Sequence, residues 1–493
     1  MAAASCCSLL LLIVGADPGS TALRDWQLGA LAVAALVALA PLPVAVDGAL
    51  LSLGESPLIL LALGIWMLVS ELLNFQAFRV NAFDFGVFDW MLESTLRGRF
   101  LYSPVYGVNH FGVHQTWWML PLVPLHWLWR SPYLLLVVNV VLLLGAAGLL
   151  SHLAHRVAPG LAPLAVIALL TCPWVGRLLH DGFRPESAFP LFIIGAADAL
   201  QRRRAWAVVA WGIGLCLVKE DAPLYVLAFA AGAALLRRLP PAPAAGLFLA
   251  GSAILLVDLE VIRPWQLGPT LPGYTAFWSG YGHGPVEVVS TALRHPLRAT
   301  WDVLGSGWWT VLLPCLLLPL SEPLAVISIS PGVLMLGLAS HPAMRRWEGY
   351  YPVPIVAIAL VAVVAFAHRD AARRRSLAAV ALLAFPLFGG GYLRVHRPDQ
   401  VVRSGLASLR ARADALAGPL CVQASIYPQL GYPDALELLG PACRARPGSR
   451  LLLHPALPPW PESAAEIQAF AAGPGARLLP GGFVLVPGEV PAR

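Results

Sequence analysis

The feature that most limits what this chain can fold into is a succession of apolar runs separated by short polar loops. Such runs recur near 26–46, 57–78, 133–154, 161–179, 187–200, 205–219, 222–236, 244–261, 303–320, 323–339, 351–367 and 376–391. A helix needs about 20 apolar residues to cross a hydrocarbon core of roughly 30 Å. Many runs approach that length, and backbone polar groups in lipid are satisfied only within helices or closed barrels. The expected architecture is an all-α polytopic membrane bundle of about 11–12 spans. Charged residues make up only 12% of the chain, about half the share in soluble domains. The net charge of +6 resides in short inter-helix loops, which suits membrane orientation and not a nucleic-acid surface.

The run 117–129 is short, Trp-rich and carries Pro121, Pro124 and His126. It reads as an interfacial or re-entrant segment. Leaving it out as a span places the basic loops His152–Arg156, Arg202–Arg204, Arg237–Arg238 and His368–Arg375 on one side. The positive-inside rule makes that side cytoplasmic. Loops 79–116, 180–187, 219–221, 262–302 and 340–350, with everything after 391, then share the outer face. The first fifteen residues are Leu-rich without a basic start, a poor signal-peptide pattern.

Composition changes again near residue 400. An amphipathic helix over 401–417 precedes short apolar runs at 420–424, 450–454, 477–479 and 483–486, with a helix over 462–472 between them. Pro480-Gly481-Gly482 reads as a hairpin turn joining the last two runs. The chain thus divides into an apolar extension over 1–56 with one span, a transmembrane unit over 57–391, and a small extracytoplasmic α/β domain over 400–493. Cys421 and Cys443 flank a short segment there and can pair in an oxidising compartment. Cys172, Cys216 and Cys315 lie in apolar runs and read as small hydrophobes.

Ionisable groups at a membrane boundary are costly unless paired or hydrated, which makes them site candidates. Asp84 lies in an aromatic-glycine turn, and Asp89 and Glu93 are four residues apart, on one face of a helix. Asp84 reads equally as a helix cap. His110 and His114 share the same spacing, suited to a metal or to plain hydrogen bonding. Loop 180–187 gathers His180, Asp181, Arg184 and Glu186. Lys219, the one lysine in the chain, adjoins Glu220 and Asp221. It reads either as a snorkelling side chain or as a compact cation for a phosphate or carboxylate. Loop 262–302 combines Arg263 with Trp265, Tyr274, Trp278 and Tyr281, a set suited to a sugar, a lipid phosphate or an aromatic belt. Arg345 and Arg346, just before Tyr350, stand against the positive-inside trend and point to an anionic ligand.

Several of these segments together resemble one bacterial family of membrane proteins, domain of unknown function 2079. The turn Phe83-Asp84-Phe85-Gly86-Val87-Phe88-Asp89 resembles its "FDLGIFDQ" signature. His110–Pro124 matches its histidine-bearing segment, and Phe183-Arg184-Pro185-Glu186 its "FHPE"-like loop, with Arg184 in place of the usual His. Lys219-Glu220-Asp221 matches the "KED" corner, Tyr350-Tyr351-Pro352 its late tyrosine, and Ala424–Leu430 the start of its C-terminal domain.

That family is similar in layout to the GT-C glycosyltransferases. The resemblance implies a membrane enzyme of the bacterial inner membrane using a polyprenyl-phosphate sugar, with an acidic residue of the first outer loop at its centre. Asp84 and then Asp89 are the catalytic candidates. Glu93, His110, His114, Arg184, Glu186, Lys219, Glu220, Asp221, Arg263, Arg345 and Tyr350 are the binding candidates. A divalent metal ion is an open expectation, because a clean Asp-x-Asp pair is missing. The rival readings are a transporter or flippase for a lipid-linked or anionic substrate, and a non-catalytic envelope assembly protein. A transporter predicts acids deep within spans and an internal repeat.

Overall fold

The computed structural model describes residues 56–267, 277–368, 372–389, 396–411, 418–433 and 435–488. The expected span at 26–46, the extension 1–56 up to Glu55, and Tyr274 lie outside them. Within them, long apolar helices occupy Ser56–Gln76, Tyr133–Val157, Ala188–Gln201, Ala205–Cys216, Ala222–Leu235, Pro241–Leu256, Pro323–Gly337, Val353–Ala367 and Ala372–Gly389. Three helical stretches, 57–76, 133–157 and 241–266, are each long and apolar enough to cross a membrane. The pair Pro159–Thr171 and Pro173–His180, bent by 46° at the break, adds a fourth if it counts as one span. Pro173, lacking an N–H, starts the second member and accounts for the break.

The helices pack around Val353–Ala367, whose residues are nearly all buried. A segment buried on all sides has no amphipathic stripe, and its uniformly apolar sequence fits that position. By contrast Ser56–Gln76 leaves Leu58, Leu61 and Ile65 exposed, as a helix at the lipid-facing rim does.

The expected span 303–320 is not one helix. It breaks into Pro296–Leu304, Trp309–Leu312 and a 3-10 turn over Leu318–Ser321. Pro314 and Pro319 remove helical donors, and Leu316 and Leu317 take positive φ values of 52° and 56° between them. The run 117–129 forms only a 3-10 turn, Trp117–Met119, and a seven-residue helix, Leu122–Leu128. Neither reaches spanning length.

The basic loops gather at one end of the bundle. Arg156 and Arg202 both pair with Asp198, at 3.2 and 2.7 Å, and His368 Nδ1 lies 3.3 Å from the Val157 carbonyl. The opposite end carries the short hairpin of β1 (Tyr102–Ser103) and β2 (Val108–Asn109) and the residues taken up below.

The C-terminal region is the expected α/β unit. Strands β3 (Leu420–Val422), β4 (Leu436–Leu438), β5 (Arg450–Leu453), β6 (Arg477–Leu478) and β7 (Val484–Pro487) form one sheet in the order β4-β3-β5-β7-β6. The first three are parallel and the last two join antiparallel. The amphipathic helix Gln400–Arg410 is capped by Asp399, whose carboxylate accepts from the Val401 N–H at 2.8 Å. The helix Ala464–Ala471 begins on a reciprocal Ser463–Glu466 cap. Cys421 and Cys443 are bonded.

This unit is welded to loop 79–116. Phe78, Ala82 and Trp90 share one buried cluster with Leu406, Val422, Tyr427 and Phe483. The Ala82 N–H donates to the Ala424 carbonyl at 2.9 Å, and Gln429 Nε2 donates to the Phe75 carbonyl at 2.5 Å.

Candidate functional site

The Ala82–Gly86 segment is a tight π-type turn. Asn81 holds it: its Oδ1 accepts from the N–H groups of Phe83 and Asp84 at 2.8 and 3.1 Å, and its Nδ2 donates to Asp84 Oδ2 at 2.8 Å. Phe85 and Val87 anchor the turn in a buried aromatic cluster with Phe75 and Phe183. A side chain at Gly86 would meet the Tyr427 ring at 3.2 Å, so the glycine lets the C-terminal unit close over the turn. Asp84 is thereby fixed in direction, with 14% of its side chain exposed.

Its other oxygen forms an ion pair with Arg184. Arg184 also donates from Nε to Asp181 Oδ2 at 3.2 Å, and its guanidinium stacks 3.8 Å from the Tyr350 ring centroid. On the same ring, the Lys219 ammonium lies 5.9 Å from the centroid. Lys219 donates to Glu186 Oε1 at 2.8 Å. Next to it Glu220 Oε1 lies 2.8 Å from His114 Nδ1. The His114 ring is 6.0 Å from that of His110. Four loops far apart in sequence, 79–116, 180–187, 219–221 and 340–350, therefore contribute to one continuous charged group.

The loop carrying Arg184 and Glu186 is set from below. Asn139, on the helix Tyr133–Val157, donates to the carbonyls of Leu178 and Gly182 at 3.3 and 3.2 Å and to Glu71 Oε1 at 2.5 Å, and accepts from the Ser187 hydroxyl. Gly182 takes φ +86°, and a Cβ there would lie 2.8 Å from Val80. Only glycine satisfies both demands.

Electrostatics follow from burial and pairing. Burial alone would lower the Lys219 pKa, but Glu186, Asp221 and Glu220 outweigh it and hold the ammonium well above the ordinary lysine value. Burial acts to raise Glu186, yet Lys219 and Arg184 keep it below the usual carboxylate value. Glu220 is likewise depressed, against burial, by His114 and Lys219. Burial and the neighbouring Glu220 and Glu186 raise Asp221 to about 6 despite Lys219. His110 is fully buried, with both ring nitrogens unpartnered among the described residues, and burial takes it down to about 3, so its imidazole is neutral.

Asp89 and Glu93 share a helix face, as their spacing predicts, but that face belongs to a second cluster. Tyr432 donates to Asp89 Oδ1 at 2.9 Å. Glu93, fully buried, accepts from Arg97 and Arg130 and lies 3.5 Å from His126 Nε2. Arg97 also donates to the Tyr432 carbonyl at 2.6 Å. These groups clamp the C-terminal unit to loop 79–116. Burial raises Asp89 to about 8.

Arg345 is engaged by Asp302, to which it donates at 2.8 Å, and not by a member of the Asp84 group. Arg263 is buried in the short helix Arg263–Leu267, which packs on His110–Val113 within electrostatic reach of Glu220. Among the described residues, no three His, Cys, Asp or Glu side chains form a set that could hold a metal ion.

Three participants escape the sequence reading: Glu71, Asn139 and Asp258. Asp258 is buried in a π-type turn, Val257–Ile262, and accepts from Trp117 Nε1 at 2.8 Å. An acid inside an apolar run is the signal that could have found Glu71 and Asp258.

Comparison with known proteins gives the following. Two solved structures resemble the chain. One is ArnT from Cupriavidus metallidurans bound to undecaprenyl phosphate, with 13% identity and a TM-score of 0.46, covering 88% of this chain and 98% of that one. The other is the same protein in the apo state, with 12% identity and a TM-score of 0.47, covering 89% and 98%. No curated protein sequence matches. The family model described as a predicted membrane protein, DUF2079, matches residues 74–400, from the end of the first described helix through all the loops above. Spanning well over half of the sequence, that match establishes that the chain belongs to the DUF2079 family of predicted membrane proteins.

Proposed function

We propose that the protein is a membrane glycosyltransferase that moves a sugar from a polyprenyl-phosphate donor to an acceptor hydroxyl at the outer face of the bacterial inner membrane. The observation that carries this reading is the linked group Asp84–Arg184–Tyr350–Lys219–Glu186 at the end of the bundle away from the basic loops. Two cations stacked over one ring suit a lipid phosphate, on which negative charge grows as the glycosyl bond breaks. Asp84 is the base for the acceptor hydroxyl. In the resting arrangement its oxygens are engaged by Asn81 and Arg184. A donor phosphate competing for Arg184 would loosen that pair and release the carboxylate. His114, oriented by Glu220, holds the acceptor, and Arg263 and Glu186 complete the wall. The Cys421–Cys443 bond supports an oxidising, extracytoplasmic side for the C-terminal unit.

Glu71 and Asp258 bear on the transporter alternative, since both are buried acids in apolar helices. Each lies near the helix end that faces the Asp84 group, Glu71 five residues before Gln76 and Asp258 eight before Gln266. That placement favours a surface reaction over a path through the bilayer. The test is transfer of labelled sugar from polyprenyl phosphate in membranes: Asp84→Asn should abolish it, and undiminished transfer would remove Asp84 from the mechanism.

A further inference from the structure

The segment between the helices Pro241–Leu256 and Pro323–Gly337 contains a feature that the charged group does not use. Pro285–Arg294 and Pro296–Leu304 are two consecutive helices, neither with a single buried residue. Val286, Val289 and Leu293 follow i, i+3, i+7 spacing, and Leu297, Trp301 and Leu304 follow i, i+4, i+7. Each set therefore forms one stripe. All six are exposed, Leu297 by 78% and Trp301 by 73%. The opposite face is tied inward: Val303 packs over Gly337, and Asp302 accepts from Tyr281 at 2.6 Å and from Arg345 at 2.8 Å.

A soluble protein rarely leaves two such stripes uncovered. Here the exposed apolar surface continues into Trp309, Leu313 and Leu320, on the next elements of the bundle. The hairpin's acids are occupied, Glu287 by the His283 N–H at 2.8 Å and Asp302 as above. Arg294 and His295 sit at the joint between the helices, exposed and without an acidic partner among the described residues, while Arg298 donates to the Gly280 carbonyl at 3.0 Å and lies 3.8 Å from Asp302. An apolar stripe flanked by cations is the pattern of a helix lying in a membrane interface, with its basic side toward anionic headgroups.

We propose that 285–304 is an interfacial hairpin lying in the plane of the leaflet beside the charged group, its apolar stripes in the acyl boundary and Arg294 and His295 on anionic lipid headgroups. The partner is the bilayer surface, and the hairpin joins it to the site through Asp302 and Arg345, five residues before Tyr350. Insertion depth then depends on anionic lipid, and the dependence runs through Arg294 and His295.

The test uses the full chain with Cys6→Ser and Cys7→Ser, reconstituted in liposomes and spin-labelled at Leu297→Cys or, separately, Val286→Cys. Gln468→Cys, exposed on the C-terminal unit, is the aqueous reference. Both hairpin labels should collide with oxygen several-fold more than with a water-soluble nickel chelate, the reverse of the reference. Moving from wholly phosphatidylcholine vesicles to 30% phosphatidylglycerol (roughly a third anionic) should deepen the labels, and Arg294→Gln with His295→Gln should cancel that deepening. Chelate access equal to the reference overturns the proposal. So does shielding from both reagents, which would mean a protein partner or a second copy. Equal depth in the two lipid mixtures overturns the headgroup contact. None of these outcomes depends on sugar transfer.

Discussion

Arg184 and Lys219, contributed by loops on different helices, rest against the same aromatic ring, with the guanidinium 3.8 Å and the ammonium 5.9 Å from the Tyr350 centroid. Each cation also has its own carboxylate, Asp84 for Arg184 and Glu186 for Lys219. The ring gives both positive groups a common contact that offsets part of their mutual repulsion. Cation–π contacts in partly desolvated sites are worth about 1 kcal/mol each. Tyr350→Leu should therefore weaken binding of polyprenyl phosphate about five-fold or more, while Tyr350→Phe should bind within about two-fold of the natural protein. Titration of the purified protein in nanodiscs with polyprenyl phosphate checks both.

Gly182 sets the loop from which Arg184 extends. Gly182→Ala places an L-residue at φ +86° and a methyl 2.8 Å from Val80. The backbone cost is about 1–2 kcal/mol, and the contact adds to it. The expected outcome is a thermal midpoint lowered by several degrees, with a disproportionate loss of phosphate binding because Arg184 moves with the loop. A variant that keeps the natural midpoint and affinity would show that the loop is not held as described.

The meeting of the Asp84 turn, loop 180–187 and the Lys219 corner was legible because span parity alone sends all three to one face, and charged residues at span ends have few other places to go. The failure at 303–320 has a local cause: hydropathy sees an apolar run, while Pro314 and Pro319 break the helix that the run suggests. The partner of the Asp89 and Glu93 face was not legible for a different reason. Their helix face was readable from a four-residue spacing, but its occupant, Tyr432, lies more than 300 residues away. Nothing local announces such a partner. Strand β4 was missed as well, its three residues Leu436–Leu438 being too short to show alternation.

The burial of Asp89 beside Tyr432 makes the clamp sensitive to pH. Burial raises Asp89 to about 8 in the folded protein, above about 3.9 in an unfolded chain. The folded state thus binds the proton more tightly. Its contribution is complete below about pH 4 and is lost as pH rises through about 8. Resistance of the C-terminal unit to protease should fall between pH 6 and pH 9 (roughly the upper part of that window). Asp89→Asn, which keeps the acceptor for the Tyr432 hydroxyl, should flatten the profile. A profile unchanged by the substitution would assign the pH dependence elsewhere.

Residues 421 and 443 are 22 apart, so the Cys421–Cys443 bond closes a loop of moderate length. In the chain-entropy model that restriction contributes about 3 kcal/mol. Cys421 is fully buried on strand β3, between β4 and β5, and Cys443 belongs to the same buried cluster. Cys421→Ser with Cys443→Ser should leave the bundle assembled and lower the midpoint of the C-terminal unit alone. Followed by the intrinsic fluorescence of the full chain, that loss should match the effect of reductant on the natural protein.

Asn139 provides the sharpest separation of polar from apolar contributions inside the bundle. Its amide donates to Glu71, to the Leu178 carbonyl and to the Gly182 carbonyl, and its oxygen accepts from Ser187. Asn139→Leu keeps the volume and strands those groups, at a cost of about 2 kcal/mol given the modest worth of single hydrogen bonds within membranes. Glu71→Gln retains an oxygen acceptor for the Asn139 amide and should be nearly neutral. Asn139→Leu combined with Ser187→Ala should cost less than the two apart, because the second change removes a hydroxyl that the first has already left unpaired. Thermal midpoints in detergent for the natural protein and the four variants give the comparison. Strict additivity would mean that Ser187 and Asn139 act independently, and that loop 180–187 is held by its packing alone.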